Sequence, residues 1–369
     1  MDRRATITVA TVAGLCAGPA MAQESDLLDV YGRVNVGIQH VNDEGVGTYG
    51  QDEGFGLFDV SSRVGVQGEH EVNDDLTAMY RYEFAVDATD ATIDDGDRLS
   101  WVGLEGDFGR FKAGRMWSAW YEYLGWNTDR SQFWGGTGYY GYGATQFFNV
   151  GPTTRSSDTV QYTFGGGGYS DDPFTFSVEA RMAGDSAGAS AEGDAVEDVD
   201  LDFDGTETTE EVTADPQAFD VVTLAAQSTL GGISVNAAFR QTQSNYEEQD
   251  IEPSQAGIGL RWGSGPLYVG GSYIVTDRDD GSASDSPSMV EVLASYDFGD
   301  GLSTQLSTSR LDNDTANDAG DTTGFFALVD HQMTEQLNAY VELQLLDAKG
   351  EAGDDNTPQV VLTGMGYSF

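Results

Sequence analysis

The chain ends in the stretch Gln359-Val360-Val361-Leu362-Thr363-Gly364-Met365-Gly366-Tyr367-Ser368-Phe369, in which two kinds of side chain alternate. A period of two is typical of a β-strand, because successive side chains point to opposite faces. Tyr367 and Phe369 therefore share one face at the edge of the strand, as the aromatic girdle of a transmembrane barrel requires. A C-terminal edge strand of a soluble sheet would show the same pattern, so the rest of the chain must decide.

Fifteen further segments have strand character, which gives sixteen predicted strands in total. They cover residues 28–41, 57–71, 76–87, 98–105, 110–117, 156–164, 174–182, 218–229, 233–242, 256–262, 267–276, 288–298, 302–311, 325–332, 337–347 and 359–369. An even number allows a barrel to close with both chain ends on one side. We therefore predict an all-β fold, a 16-stranded antiparallel transmembrane β-barrel.

The connections between these strands alternate in length. Turns such as 73–75, 231–232 and 299–301 are short, whereas acidic segments such as 277–287 and 312–323 are long. Outer-membrane barrels have short periplasmic turns and long extracellular loops. The alternation thus predicts both the class of protein and its orientation.

The polarity of single strands indicates a water-filled barrel. In the first strand, Val30, Val34 and Ile38 share one face, whereas Asn35 and Gln39 lie on the other. Strand fifteen likewise places Leu and Val opposite Asn, Tyr, Glu and Gln. Sixteen strands leave an aqueous channel, so the polar faces are predicted to line it.

The N-terminus indicates export. Arg3 and Arg4 precede an apolar run, and Ala20-Met21-Ala22 has the small-x-small pattern of a signal-peptidase site. We predict a signal peptide over residues 1–22 and a single barrel domain over residues 23–369. The only cysteine, Cys16, lies in the predicted signal peptide, so the mature chain has no disulfide.

The charge balance is strongly acidic, with a formal net charge of −45 at pH 7. Nucleic-acid binding needs a basic surface and is excluded on this ground. We interpret the acidity as a halophilic adaptation, because salt at about 1 M screens charges within about 3 Å. Acidic outer loops would also concentrate cations near a pore mouth.

Four segments together resemble the Gram-negative general porin family. They are Val30-Tyr31-Gly32-Arg33, the run from Ser62-Arg63-Val64-Gly65 to Glu69, the run from Arg98 through Val102-Gly103-Leu104 to Phe108-Gly109, and Ala113-Gly114-Arg115. The resemblance covers nearly the whole mature chain through the order and spacing of these segments. Phe369 is similar to the terminal aromatic that the barrel assembly machinery reads, with Tyr367 beside it.

The resemblance implies a homotrimer in the cell outer membrane, with a third long loop that folds into each barrel. This loop would run from about Trp117 to Thr153. Its carboxylates would face wall arginines across a constriction and create a transverse field. The implied constriction residues are Arg63, Arg98, Arg155, Arg81, Arg33, Glu122 and Asp129.

Period-two parity places Arg63, Arg155, Arg81 and Arg33 on the inner face, but Arg98 shares the parity of Val102 and Leu104. The stretch Gln132-Phe133-Trp134-Gly135-Gly136 also replaces an acidic-aromatic-glycine stretch of the family. The width and selectivity of the constriction therefore stay open. The acidic loops favour a mild cation preference, which the arginine wall opposes.

A calcium-loop pattern occurs in the acidic segment 183–217. Asp200, Asp202, Asp204, Gly205 and Glu211 match D-x-[DN]-x-[DN]-G-x5-E. Flanking helices are not indicated by the sequence, and the segment contains twelve acidic residues and no basic one, so chance matches are expected. A mobile acidic loop is the favoured interpretation, and no metal or cofactor is predicted.

The predicted function is passive diffusion of small hydrophilic solutes and ions through a water-filled outer-membrane channel. A substrate-preferring channel and a nonporous adhesin or receptor are the alternatives. The histidines, His40, His70 and His331, accompany no nucleophile–base signature, so an enzyme is not predicted. Solute flux would separate a channel from the other classes.

Overall fold

The computed structural model describes residues 27–42, 54–132, 154–168, 170–182, 219–242, 253–279, 284–312, 321–349, 355–357 and 359–369. The predicted signal peptide and the calcium-loop pattern with Asp200, Asp202, Asp204 and Glu211 lie outside the described residues.

Sixteen strands form the fold, three of them in two segments. They are β1 Asp29–Asn42, β2 Gly54–Asp59 with Arg63–Asn73, β3 Leu76–Asp87, β4 Thr92–Gly106, β5 Gly109–Trp117, β6 Arg155–Phe164, β7 Phe174–Met182, β8 Phe219–Leu230, β9 Ile233–Thr242, β10 Ser254–Ser264, β11 Leu267–Asp279, β12 Ser284–Asp285 with Ser288–Gly299, β13 Leu302–Asp312, β14 Thr322–Gln332, β15 Leu337–Lys349 and β16 Asp355–Asn356 with Gln359–Ser368. Between β5 and β6 lie helix α1, Ala119–Tyr123, and a 3-10 helix, Gly125–Asn127.

The sheet closes on itself. Each strand pairs antiparallel with the next, and β16 pairs with β1, for example Gly364 with Gly37. The terminal residue completes the seam, because Phe369 N–H donates to Gly32 O and Gly32 N–H donates to Phe369 O, both at 3.0 Å. Every backbone group in a membrane needs a partner, and closure supplies one along the seam. The predicted 16-stranded antiparallel barrel is confirmed.

The two faces of the strands differ as predicted. Val34 and Ile38 on β1 are exposed on the outer face, whereas Asn35 and Gln39 are buried inside. On β15, Glu342 and the polar residues at alternate positions are likewise buried. The outer band is therefore apolar without any spanning helix. Among the described residues, no helix is long and apolar enough to cross a membrane.

Among the differences from the predicted bounds, two have a clear physical cause. β4 starts at Thr92 instead of residue 98, because the acidic stretch 92–97 lacks alternation but still pairs with β3 through an irregular register. β2 is interrupted at Val60–Ser62, where Ser61 has a φ of 58° and both segments still pair with β1. Alternating hydrophobicity cannot reveal either feature.

A hydrophobic core lies inside the barrel around α1. It combines aromatic and aliphatic residues of the loop with inward residues of the wall: Ala119, Trp120, Tyr121, Tyr123, Leu124, Ala225, Ala238, Ile274, Met289, Leu311 and Leu346. The described start of the loop between β5 and β6 is thus packed against the inner wall. The predicted entry of the third loop into the pore is seen in residues 118–132, which we call the internal segment.

Candidate functional site

Four neighbouring strands each carry one arginine of the predicted constriction. These are Arg33 on β1, Arg63 on β2, Arg81 on β3 and Arg98 on β4, and we call them the arginine cluster. Arg33 and Arg63 are direct partners in the β1–β2 register. Adjacent strands lie about 4.8 Å apart, so the register brings side chains from distant parts of the sequence to one patch of wall.

A single carboxylate, that of Glu83 on β3, lies among three of these arginines. Its Oε1 is 2.7 Å from Arg98 Nε, and its Oε2 is 2.9 Å from Arg81 Nη2 and 3.9 Å from Arg63 Nε. The Glu83 side chain is 2% exposed, whereas those of Arg63 and Arg81 are each 31% exposed. The cluster therefore presents guanidiniums to the lumen and keeps its carboxylate behind them.

Tyr31 completes this network. Its hydroxyl donates to Glu83 Oε2 at 2.9 Å and accepts from Arg81 Nε at 2.7 Å. Neither Glu83 nor Tyr31 is among the residues that the sequence predicts for the constriction. The sequence does contain a signal for Glu83, because it lies two residues after Arg81 and a period of two puts both side chains on the same face.

Arg98 reaches this network through a register irregularity. Glu83 pairs with Leu99 and Phe84 pairs with Asp97, so Arg98 is an extra residue on β4. An extra residue disrupts the ladder locally and redirects side chains. The parity of Arg98 with Val102 and Leu104 is therefore misleading, and its side chain contacts Glu83.

Arg155 contacts an aromatic ring, that of Trp117, and not Glu83. Its guanidinium carbon is 5.5 Å from the centre of the Trp117 ring, and the two residues are strand partners. A register shift lies between Arg155 and Thr159, so a period of two does not run unbroken through the start of β6. The structure therefore brings together Arg33, Arg63, Arg81 and Arg98, and places Arg155 beside Trp117.

The internal segment starts with a capped helix. Ser118 Oγ accepts a hydrogen bond from Tyr121 N–H at 3.1 Å, which satisfies one of the free donors at the start of α1. Trp120 then packs under the guanidinium of Arg240, whose carbon is 4.5 Å from the ring centre. Tyr123 OH shares hydrogen bonds with Thr175 and Ser177 of β7. Burial raises the pKa of the Tyr123 hydroxyl above its ordinary value.

Three wall carboxylates hold the internal segment along its length. Glu179 on β7 accepts from Ala119 N–H at 2.7 Å, and Glu291 on β12 accepts from Thr128 Oγ1 at 3.2 Å. Glu342 on β15 accepts from Gln132 N–H at 2.6 Å. These three residues are nearly inaccessible to solvent. They lie between the segment and the wall, and they fasten the segment along the side from β7 to β15.

Glycines on the wall make room for the segment. A Cβ at Gly270 would lie 2.0 Å from Asn127 O, and one at Gly259 would lie 2.2 Å from Asn127 Nδ2. Interiors are close-packed, so side chains at these positions would displace the segment. The inner face of β10 and β11 is therefore shaped to receive residues 124–127.

Each of the two predicted loop carboxylates has a partner among the described residues. Glu122 Oε1 is 3.7 Å from Lys112 Nζ on β5, and both side chains are largely buried. Asp129 Oδ2 accepts a hydrogen bond from Tyr121 OH. Neither lies in the ion-pair network of Glu83. Lys112 thus offsets the charge of Glu122.

Gln132 brings the end of the internal segment to the arginine cluster. Its Oε1 accepts from Arg33 Nη2, and its Nε2 donates to Asp330 Oδ2 at 3.0 Å. Gln132, which stands in the stretch that replaces an acidic-aromatic-glycine stretch of the family, therefore gives Arg33 a neutral partner. Phe133, Trp134, Gly135 and Gly136 lie outside the described residues.

Other predicted sites have a simpler outcome. Tyr367 and Phe369 are exposed on the outer face at the end with short turns, as the girdle pattern predicts. Within the described ranges, no cluster of three or more His, Cys, Asp or Glu residues could hold a metal ion.

Comparison with known proteins identifies relatives along the chain. The profile of the Gram-negative porin family matches residues 7–351. The chain is 25% identical over 386 residues to the outer membrane porin protein OmpD of Citrobacter koseri, covering 98% of this chain and 99% of the relative. It is also 25% identical to outer membrane protein S2 of Salmonella typhi, covering 100% of both chains.

Solved structures share the fold. The anion-selective porin from Comamonas acidovorans aligns with a TM-score of 0.69 at 16% identity, covering 93% of this chain and 99% of that chain. The trimer form of OmpT from Vibrio cholerae aligns with a TM-score of 0.66 at 17% identity, with the same coverage.

Proposed function

The chain belongs to the Gram-negative porin family and is an outer-membrane channel for passive diffusion of small solutes; from this premise we propose that solutes cross its narrowest part between the arginine cluster and the internal segment. The internal segment is fastened to the opposite side, from β7 to β15. The wall from β1 to β4 faces the remaining passage. The single observation that carries the proposal is that the described loop residues are anchored to β7, β12 and β15, whereas the arginine cluster lies on β1 to β4.

The arginine cluster gives the passage a local positive charge. Guanidiniums stay protonated at physiological pH, and Glu83 can compensate only one of the three arginines it contacts. Arg33 lies apart from this carboxylate, near Asp330 and Glu342. We therefore assign the transverse field mainly to Arg63, Arg81 and Arg98.

The loop itself carries few charges that could oppose the arginine cluster. Residues 133–153 contain no charged side chain, so the loop contributes Glu122, Asp129 and Arg130. Glu122 is paired with Lys112. The narrow part of the channel should therefore favour anions, although the whole chain is strongly acidic. This differs from the mild cation preference suggested by the outer loops, because selectivity depends on charge at the narrowest point.

Reversal potentials under a salt gradient test the proposal. Replacement of Arg63 and Arg98 by glutamine should shift selectivity toward cations, because two guanidiniums are lost from the cluster. Replacement by lysine should retain the wild-type sign. An unchanged reversal potential in the folded glutamine variant would remove the arginine cluster from the solute path.

We extend the proposal to assembly and processing. A homotrimer is supported by the trimer form of the related OmpT fold and by the apolar outer residues Val102, Leu104 and Phe111. Removal of residues 1–22 before barrel insertion is supported by the pattern at Ala20-Met21-Ala22. We also propose that the protein has no catalytic activity and is a general channel. A steep preference for one nutrient in liposome-swelling assays would favour the substrate-preferring alternative.

A further inference from the structure

One connection at the end with short turns differs from the others. Residues 165–173 join β6 to β7, whereas the neighbouring connections 107–108 and 231–232 have two residues each. We call residues 165–168 and 170–173 the inward turn. Gly167 and Gly168 are buried, although turns at this end of a barrel are normally solvated.

The inward turn contacts α1 from the short-turn end of the barrel. A Cβ on Gly168 would lie 2.1 Å from Glu122 O and 3.0 Å from Tyr123 Cα. Glycine is therefore required for this approach of two backbones. The turn thus lies under the last residues of the helix that starts the internal segment.

Wall side chains hold the turn in this position. Arg261 on β10 donates from Nη1 to Gly168 O at 2.7 Å and from Nη2 to Ser170 O. Gln227 on β8 donates to Ser170 O at 2.8 Å. Arg261 and Gln227 are both buried. Hydrogen bonds from a charged donor are stronger than neutral ones, so Arg261 is the main attachment.

Hydrogen bonds within the inward turn also fix its conformation. Gly166 N–H donates to Asp172 Oδ2 at 2.7 Å, and Ser170 N–H donates to Gly167 O at 3.1 Å. It is therefore a formed element with its own hydrogen bonds, attached to the wall at one side and to α1 at the other.

We infer that the inward turn is a support for the channel constriction, with Arg261 as its positioning residue. The turn blocks movement of α1 toward the short-turn end, and the wall carboxylates hold the internal segment from the side. Loss of the support should let α1 sample more positions, which changes the passage without changing its charge. This inference rests on the proposed constriction by the internal segment.

A matched pair of glycine variants tests the inference in planar-bilayer recordings of the full-length mature channel. Gly168→Ala inserts a methyl group between the turn and α1. Gly263→Ala adds the same group on β10 where the nearest atom is 3.9 Å away and should behave as wild type. We expect Gly168→Ala to raise open-channel current noise about twofold or more, since the loop becomes mobile on the timescale of gating.

Arg261→Gln and Arg261→Lys provide a second arm. Lysine keeps the charge but cannot donate from a planar fork to both carbonyl groups, so both variants should show raised noise. Folding is checked by the heat-dependent gel mobility of the barrel. If Gly168→Ala does not assemble, the two Arg261 variants test the inference instead. Wild-type noise and conductance in the folded variants would overturn the inference.

The test separates this inference from the arginine proposal. Gly168→Ala leaves every charge in place, so its reversal potential should equal that of wild type while its noise rises. Arg63→Gln should shift the reversal potential with wild-type noise. Either prediction, the higher noise of Gly168→Ala or the shifted reversal potential of Arg63→Gln, can be contradicted while the other holds.

Discussion

Neutralising Glu83 should make the channel more selective for anions. The carboxylate contacts three guanidiniums at 2.7, 2.9 and 3.9 Å. Glu83→Gln keeps an oxygen acceptor for Arg98 and Arg81 but removes the negative charge. The local charge of this group therefore becomes more positive by one unit, whereas a substitution in the arginine cluster changes it in the opposite direction.

The size of the effect follows from Coulomb's law. One unit charge acting on a monovalent ion about 8 Å away in water contributes about 0.5 kcal/mol. Screening reduces this to about 0.4 kcal/mol at 0.01 M salt and about 0.2 kcal/mol at 0.1 M. Because the change favours anions and disfavours cations equally, their permeability ratio should rise about fourfold at 0.01 M and about twofold at 0.1 M.

Reversal potentials across a tenfold salt gradient measure this ratio. Glu105→Gln is the matched control. Glu105 is likewise a glutamate paired with arginine, in this case Arg110 alone at 2.7 Å, but its side chain is 42% exposed at the short-turn end. We expect its effect to be clearly smaller. A ratio for Glu83→Gln that stays constant, falls, or does not depend on salt would refute the electrostatic reasoning.

Three further results are expected. Gly270→Val should displace Asn127 and alter single-channel conductance, because a Cβ there lies 2.0 Å from Asn127 O, and a wild-type conductance would contradict this fit. Deletion of Phe369 removes the backbone pair with Gly32 and should lower the yield of assembled barrel in membranes, whereas Phe369→Tyr should retain it. Val341→Arg places a charge on the exposed outer face and should lower the unfolding free energy by about 2–4 kcal/mol, measured by denaturant titration in lipid, whereas Val341→Leu should not.

The architecture was largely predictable because a barrel wall repeats one local rule. Side-chain alternation reports which face of a strand meets lipid, and this holds from the first strand to Phe369. The same rule failed at Arg98 and at the interruption of β2, where an extra residue or a left-handed backbone breaks the period. These irregularities depend on pairing with a neighbouring strand, which a single sequence does not display.

The composition of the site depended on contacts between neighbouring strands and between the loop and the wall. Sequence reasoning found the arginines and the loop acids, but it could not find that Glu83 unites three arginines or that Lys112 compensates Glu122. The roles of Glu179, Glu291 and Glu342 as anchors were also hidden. These contacts join residues up to 210 positions apart.

The sequence by itself determined that this chain crosses a membrane with alternating strands around a polar interior, since that pattern is local and repeated. Only the tertiary structure decided where the loop lies within the barrel, which charges remain to face the solute, and that Gly168 and Arg261 meet beneath α1. The physical reason is that selectivity depends on distances between charges. Those distances are set by strand register and close packing around the closed barrel.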